Sequence, residues 1–170
     1  MKIKRLVHLS LLISMALAIS ILESMIPLPF VAPGAKLGLS NIIILVSLLV
    51  FGFRYALCVS AMKSFLLMLI TGSVTSFLYS FTGAILSTIS MFLAHKYLGN
   101  FLTSIGISII GAVAHNFAQV LVASLILSNF MLFTYLPILI FVGLFTGYFV
   151  GISSDLVSNK LSRVIKLEEK

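Results

Sequence analysis

Apolar stretches of about bilayer-spanning length, about 20 residues, alternate along the chain with short polar or glycine-containing breaks. The first predicted helix runs from Leu6 to Ile26 and stops at Pro27 and Pro29. The second, Leu39 to Phe51, is short for a full span, and the Phe30–Gly38 segment before it is expected to dip into the membrane against protein or cavity walls. A tight turn at Gly52-Phe-Arg-Tyr55 leads to a third helix, Ala56 to Ile70, which Thr71-Gly-Ser73 ends. The fourth runs from Ser76 to Ala94, followed by a polar connection, His95 to Asn100. The fifth covers Thr103 to Leu127; after Ser128-Asn129, the sixth covers Leu132 to Ile152. The polar tail from Ser153 onward reads as the cytoplasmic end of that helix. The expected fold is an all-α bundle of six transmembrane helices forming a single integral membrane domain over residues 1–170.

Composition places the chain in the same class. Its 170 residues are 61% hydrophobic and 9% charged, with mean hydropathy +1.24, where a soluble domain is about 45–50% apolar and about 25% charged. The net charge of +7 does not read as a nucleic-acid surface. Lys2, Lys4 and Arg5 precede the first apolar run, and Lys160, Arg163, Lys166 and Lys170 follow the last, with no basic face interleaved with aromatics. With the amino terminus in the cytoplasm, Arg54, Lys96 and the basic tail all fall inside, and Lys36 is the one lysine outside. Both termini are therefore expected to be cytoplasmic. Met1 to Ala18 also resembles a signal peptide ending in Ala16-Leu17-Ala18, but apolar sequence continues without a polar cleavage region, which favours a retained first helix.

Polar groups at membrane depth are the candidate chemistry. A charge at the bilayer centre costs about 2.5–3.5 kcal/mol even on the lenient insertion scale, so it faces a cavity or a partner. Lys63 lies midway along the third helix and Glu23 near the outer end of the first. Either both line a binding site, or they form a structural ion pair, or Lys63 snorkels toward water. His115 and Gln119 share one face of the fifth helix with Asn116 beside them; they are either a polar clasp between helices or the lining for a polar substrate. Tyr79 offers a hydroxyl, and Asn41 a carboxamide at the start of the second helix. Lys36 sits among outer glycines that allow close backbone approach to a ligand, or is a solvated loop lysine.

Small residues recur at helical spacing in three helices: Ser10, Ser14 and Ala18; Ser76, Ser80, Gly83, Ser87 and Ser90; and Gly143, Gly147 and Gly151. Such stripes let helix backbones approach closely in a membrane. Internal packing suffices for the later two, while for Ser10, Ser14 and Ala18 a partner-docking surface competes with it. The lone Cys58 has no ligand-spaced partner, and no second His or carboxylate stands at metal-ligand spacing to His115. No metal site or cofactor is expected. Catalytic signatures are missing, as is an ATP-binding module. The four acidic residues, two of them at the very tail, form no aspartate-rich motif of the kind that holds magnesium and diphosphate. The expectation is therefore a protein that is not itself an enzyme.

Three ordered motifs carry a family resemblance across nearly the whole chain: Pro33-Gly-Ala-Lys-Leu-Gly-Leu-Ser-Asn41, Ser76-Phe-Leu-Tyr-Ser-Phe-Thr-Gly83 and Gly111-Ala-Val-Ala-His-Asn-Phe-Ala-Gln119. They resemble the bacterial Gx-transporter family, labelled heptaprenyl diphosphate synthase component I. That family is similar to the substrate-binding S components of energy-coupling factor (ECF) transporters. The resemblance implies a six-helix protein of the bacterial plasma membrane that binds a small solute near the outer face. It also implies docking, through the first helix, on a membrane coupling subunit driven by ATPases. Ser10, Ser14 and Ala18 would fill that role, with serine where the S components typically carry alanine. The expected solute is small, with anionic groups favoured by Lys36 and Lys63; its identity is beyond the sequence. The alternative is a non-catalytic membrane component that partners a soluble prenyl synthase.

Overall fold

The computed structural model describes residues 2–26 and 36–168. The Pro27 and Pro29 stop and most of the expected membrane-dipping segment lie outside the described residues. Among these residues six helices appear: α1 (Lys2–Ser24), α2 (Asn41–Phe51), α3 (Phe53–Thr71), α4 (Val74–Leu98), α5 (Ser104–Ile126) and α6 (Leu136–Glu168), with a short 3-10 helix (Phe130–Tyr135) before α6. Among the described residues there is no strand. Among the described residues five helices are long and apolar enough to cross a membrane, and α2 is the exception.

At 11 residues, α2 is about 16 Å long against a hydrocarbon thickness of about 30 Å. It is instead the packing centre. Every residue from Ile43 to Leu48 is buried, as suits a helix that is apolar on all sides, and α2 touches each of the other five helices. Gly52 alone joins it to α3, at φ 91°, a conformation open to glycine and strained for any side chain. Phe53, Arg54 and Tyr55, expected in the turn, are already helical.

The glycine stripe of α6 packs internally. A Cβ added at Gly147 would lie 2.8 Å from Ile109 Cα, and one at Gly151 would press on the Ile105 backbone. Close backbone contact of α6 on α5 thus needs Gly147 and Gly151, while Gly143 makes room for the Asn116 side chain. On α4, Ser80, Gly83 and Ser87 are buried. The α1 stripe differs. Leu12, Ala16, Ser20 and Glu23 form its buried face, while Ser10, Ser14 and Ala18 point outward. Among the described residues, α1 contacts only α2 and α3.

Several boundaries move from the sequence expectation. α1 begins before Leu6 and ends at Ser24. α4 continues through His95 to Leu98, with Lys96 over the Phe92 and Tyr97 rings, because nothing in that polar stretch breaks a helix before Gly99. Phe130 to Tyr135 wind as a 3-10 turn, so α6 starts at Leu136, with Pro137 in its first turn where its missing N–H costs nothing. The tail beyond Ser153 stays helical to Glu168.

Candidate ligand-binding site

The polar residues gather where α1 ends, α2 begins and α3 has about 12 Å left to run before Thr71. Lys63 on α3 is 1% exposed. Its ammonium donates to Ser40 Oγ at the head of α2 and to Ser20 Oγ on α1, the latter at 3.4 Å. Ser40 precedes α2 but its side chain makes no helix cap; the hydroxyl serves the lysine instead. Lys36, also buried, donates to the Ser20 carbonyl at 3.4 Å and to Ser24 Oγ at 2.7 Å. Burial pushes the Lys36 ammonium below its ordinary pKa, and the neighbouring Glu23 charge pulls the other way.

Glu23 takes its hydrogen bonds from backbone. One carboxylate oxygen, Oε1, accepts from the N–H groups of Gly38 at 2.5 Å and Leu39 at 3.4 Å. The other, Oε2, is buried and has no hydrogen-bond partner among the described residues. Glu23 and Lys63 make no direct ion pair among the described residues: serines hold the ammonium and backbone holds the carboxylate.

α5 closes the network from the far side. The Lys36 N–H donates to Gln119 Oε1 at 3.3 Å, leaving the Gln119 amide group to donate to His115 Nε2 at 3.0 Å. A ring nitrogen that accepts from an amide carries no proton, so the imidazole is assigned as the neutral tautomer with hydrogen on Nδ1. Nδ1 points at the Gly83 backbone without closing a hydrogen bond of good geometry. The ring is held between two glycines: a Cβ at Gly83 would meet it at 2.8 Å, and one at Gly38 at 3.3 Å. Gly38, at φ 82°, thereby borders Glu23, Asn41 and His115 together. The Asn41 carboxamide oxygen is buried and has no hydrogen-bond partner among the described residues.

Six of the expected site residues thus meet: Glu23, Lys36, Asn41, Lys63, His115 and Gln119. Two are placed elsewhere. Asn116 faces α6, where its amide donates to the Leu139 carbonyl at 2.7 Å. Tyr79 is buried one turn before Gly83 and makes no hydrogen bond to a described residue. Sequence reasoning missed Ser20, Ser24 and Ser40, which hold both ammonium groups. It also missed the clasp beside Lys63, where Ser60 meets Thr88 at 2.6 Å and Ser64 meets Ser80 at 3.1 Å. The available signal was spacing: Ser20 lies three residues before Glu23, and Ser60 and Ser64 bracket Lys63 on one face of α3. Among the described residues, no three His, Cys, Asp or Glu side chains gather at metal-binding distance.

The cluster offers ammonium N–H groups, one spare carboxylate oxygen and one spare carboxamide oxygen in a buried setting. It suits binding of a small polar molecule. No curated protein and no solved structure matches the chain. The family model described as heptaprenyl diphosphate synthase component I matches residues 12–157, a stretch that contains α2 to α5 whole and every member of the cluster, and by that match the chain belongs to the heptaprenyl diphosphate synthase component I family.

Proposed function

We propose that this chain is a substrate-binding membrane subunit of the S-component type, which captures a small solute from the outer side of a bacterial plasma membrane. The observation that carries the reading is the buried pair Lys36 and Lys63, set around Ser20 with one carboxylate for two ammonium groups. Burying such a group is costly in a membrane, and a purely structural role would be served better by apolar side chains. In this reading Lys36 and Lys63 attract the anionic part of the solute, Asn41 and Gln119 hydrogen-bond it, and His115 positions Gln119. Glu23 shapes the Lys36–Leu39 backbone around it. The outward face of α1, with Ser10, Ser14 and Ala18, docks a membrane coupling subunit that ATPases drive. No catalytic role is assigned.

The family description favours a second reading. A protein described as component I has a second component, so a non-catalytic membrane partner of a soluble prenyl synthase is the competing assignment. Gentle purification from native membranes separates the two. Recovery of ATPases with a membrane coupling protein supports the transporter subunit. Recovery of a soluble prenyl synthase in their place overturns it.

A further inference from the structure

The buried polar groups left without partners narrow the kind of molecule this site accepts. Lys36 and Lys63 each carry three N–H groups and, among the described residues, each uses two on serine oxygens, which leaves one donor on each for an anion. Two ammonium groups against the single Glu23 carboxylate leave one positive charge. Two spare groups on side chains that border Gly38 through their other polar atoms, Glu23 Oε1 and Asn41 Nδ2, have the opposite demand. Glu23 Oε2 and Asn41 Oδ1 are both acceptors, both buried, and both unpartnered among the described residues, on side chains that are each 3% exposed. They need hydrogen-bond donors, which a simple anion lacks. A diphosphate also brings acceptor oxygens and negative charge toward the Glu23 carboxylate, which it repels.

We propose that the site recognises a small organic monoanion that also carries N–H or O–H donors near its acid group. The acid group takes the spare N–H of Lys36 and Lys63, and the donors satisfy Glu23 Oε2 and Asn41 Oδ1. This rests on the reading of the cluster as a ligand site and adds the chemistry of the ligand. It sets such acids apart from fatty or aromatic acids without donors and from prenyl diphosphates.

The test is ligand-induced thermal stabilisation of the intact protein in detergent, using isosteric pairs of monoanions with and without donors. Mandelate against phenylacetate and orotate against nicotinate head a larger set of such pairs, with inorganic diphosphate and dimethylallyl diphosphate as polyanions. The expected result is stabilisation by donor-bearing acids and a loss of about 10- to 100-fold in affinity for their donor-free isosteres, the usual worth of a hydrogen bond to a charged group. Glu23→Gln, which places a donor where Oε2 now accepts, is expected to reduce that discrimination. Equal stabilisation by donor-free acids, or stabilisation by diphosphates alone, overturns the inference and leaves an anion site. Stabilisation by none of the probes overturns the ligand-site reading itself, the polar groups then being served by water. The wild-type panel decides between these outcomes even if Glu23→Gln does not fold.

Discussion

Lys36 and Lys63 converge on one residue: Lys36 donates to the Ser20 carbonyl and Lys63 to the Ser20 hydroxyl, each at 3.4 Å. Two ammonium groups around one serine repel each other, and in a low-dielectric interior that repulsion is several times what it is in water. Glu23 moderates it without touching either lysine directly, through a carboxylate held on the Gly38 and Leu39 backbone. The arrangement stores unfavourable electrostatics that an added anion relieves.

The two signs therefore respond differently to mutation. Lys63→Met removes one repelling charge and frees two hydroxyls. Ser20 can turn to its own helix, and Ser40 can cap α2. Stability is expected to hold within about 1 kcal/mol or to rise. Glu23→Gln leaves both cations uncompensated and weakens two charge-assisted bonds, for an expected loss of about 1.5–3 kcal/mol. Thermal unfolding in detergent measures both. Equal losses from the two changes would identify a simple ion pair and sink this account.

Gly83 tests the seating of His115. In an ordinary helix position Gly→Ala gains up to about 1 kcal/mol. Here the new Cβ would sit 2.8 Å from a ring already fixed by Gln119 and backed by Gly38. Gly83→Ala is expected to destabilise the protein by about 1–3 kcal/mol, with the largest nuclear magnetic resonance shift change at His115. Gly72→Ala is the control. It has nothing within 4 Å but a φ of 65°, so its cost, about 1–2 kcal/mol, is backbone strain alone and leaves the His115 signal in place.

Much of this was legible in the pattern of residues. Apolar run length identified the helices because lipid forces backbone hydrogen bonds inside each segment. The expensive residues, Lys63, Glu23 and Lys36, announced the cluster because a charge in an apolar run has to be served by something. What served them was not legible. Serine is too common in this chain, and too cheap in a membrane helix, for Ser20, Ser24 or Ser40 to stand out. Asn116 read as a neighbour of His115 and Gln119, yet its direction depends on the packing angle of α6, which sequence does not give. The start of α6 was placed too early because Leu132 continues the apolar run while the backbone there follows a 3-10 path.

Asn116 gives a clean separation of clasp from site. Its amide caps the Leu139 carbonyl across α5 and α6, away from the ammonium groups. Asn116→Ala is expected to cost about 1–2 kcal/mol and to leave anion affinity within about twofold. Gln119→Ala, which removes the acceptor for the Lys36 N–H, is expected to weaken anion binding as well. A loss of binding in Asn116→Ala comparable to that in Gln119→Ala would return Asn116 to the site.

Orientation in the membrane follows from charge asymmetry. Reporter fusions at Arg54, Lys96 and after residue 168 are expected to read cytoplasmic, and those at Lys36 and Asn129 external. A cytoplasmic reading at Lys36 would place the cluster on the inner side and remove capture from outside.

The outward stripe of α1 carries the last prediction. Ser10 and Ser14 fold their hydroxyls back onto their own helix, Ser10 to the Val7 carbonyl and Ser14 to the Ser10 carbonyl, each at 2.9 Å. Their polarity is thus consumed locally, and with Ala18 they present a shallow, low-profile strip along an exposed helix face. Lipid gains nothing from such a strip, whereas a second helix packs closely on it through dispersion contacts. Ala18→Leu adds bulk to that face without entering the bundle, so the unfolding temperature and anion binding are expected to stay unchanged. Recovery of a coupling subunit from native membranes is expected to fall at least tenfold. Ala16→Leu, two residues earlier and fully buried, is the contrasting variant: it overpacks the core and is expected to cost about 1–3 kcal/mol. If Ala18→Leu destabilises the isolated protein as Ala16→Leu does, the stripe is part of the bundle. If its partner recovery is undiminished, the docking surface lies on another helix.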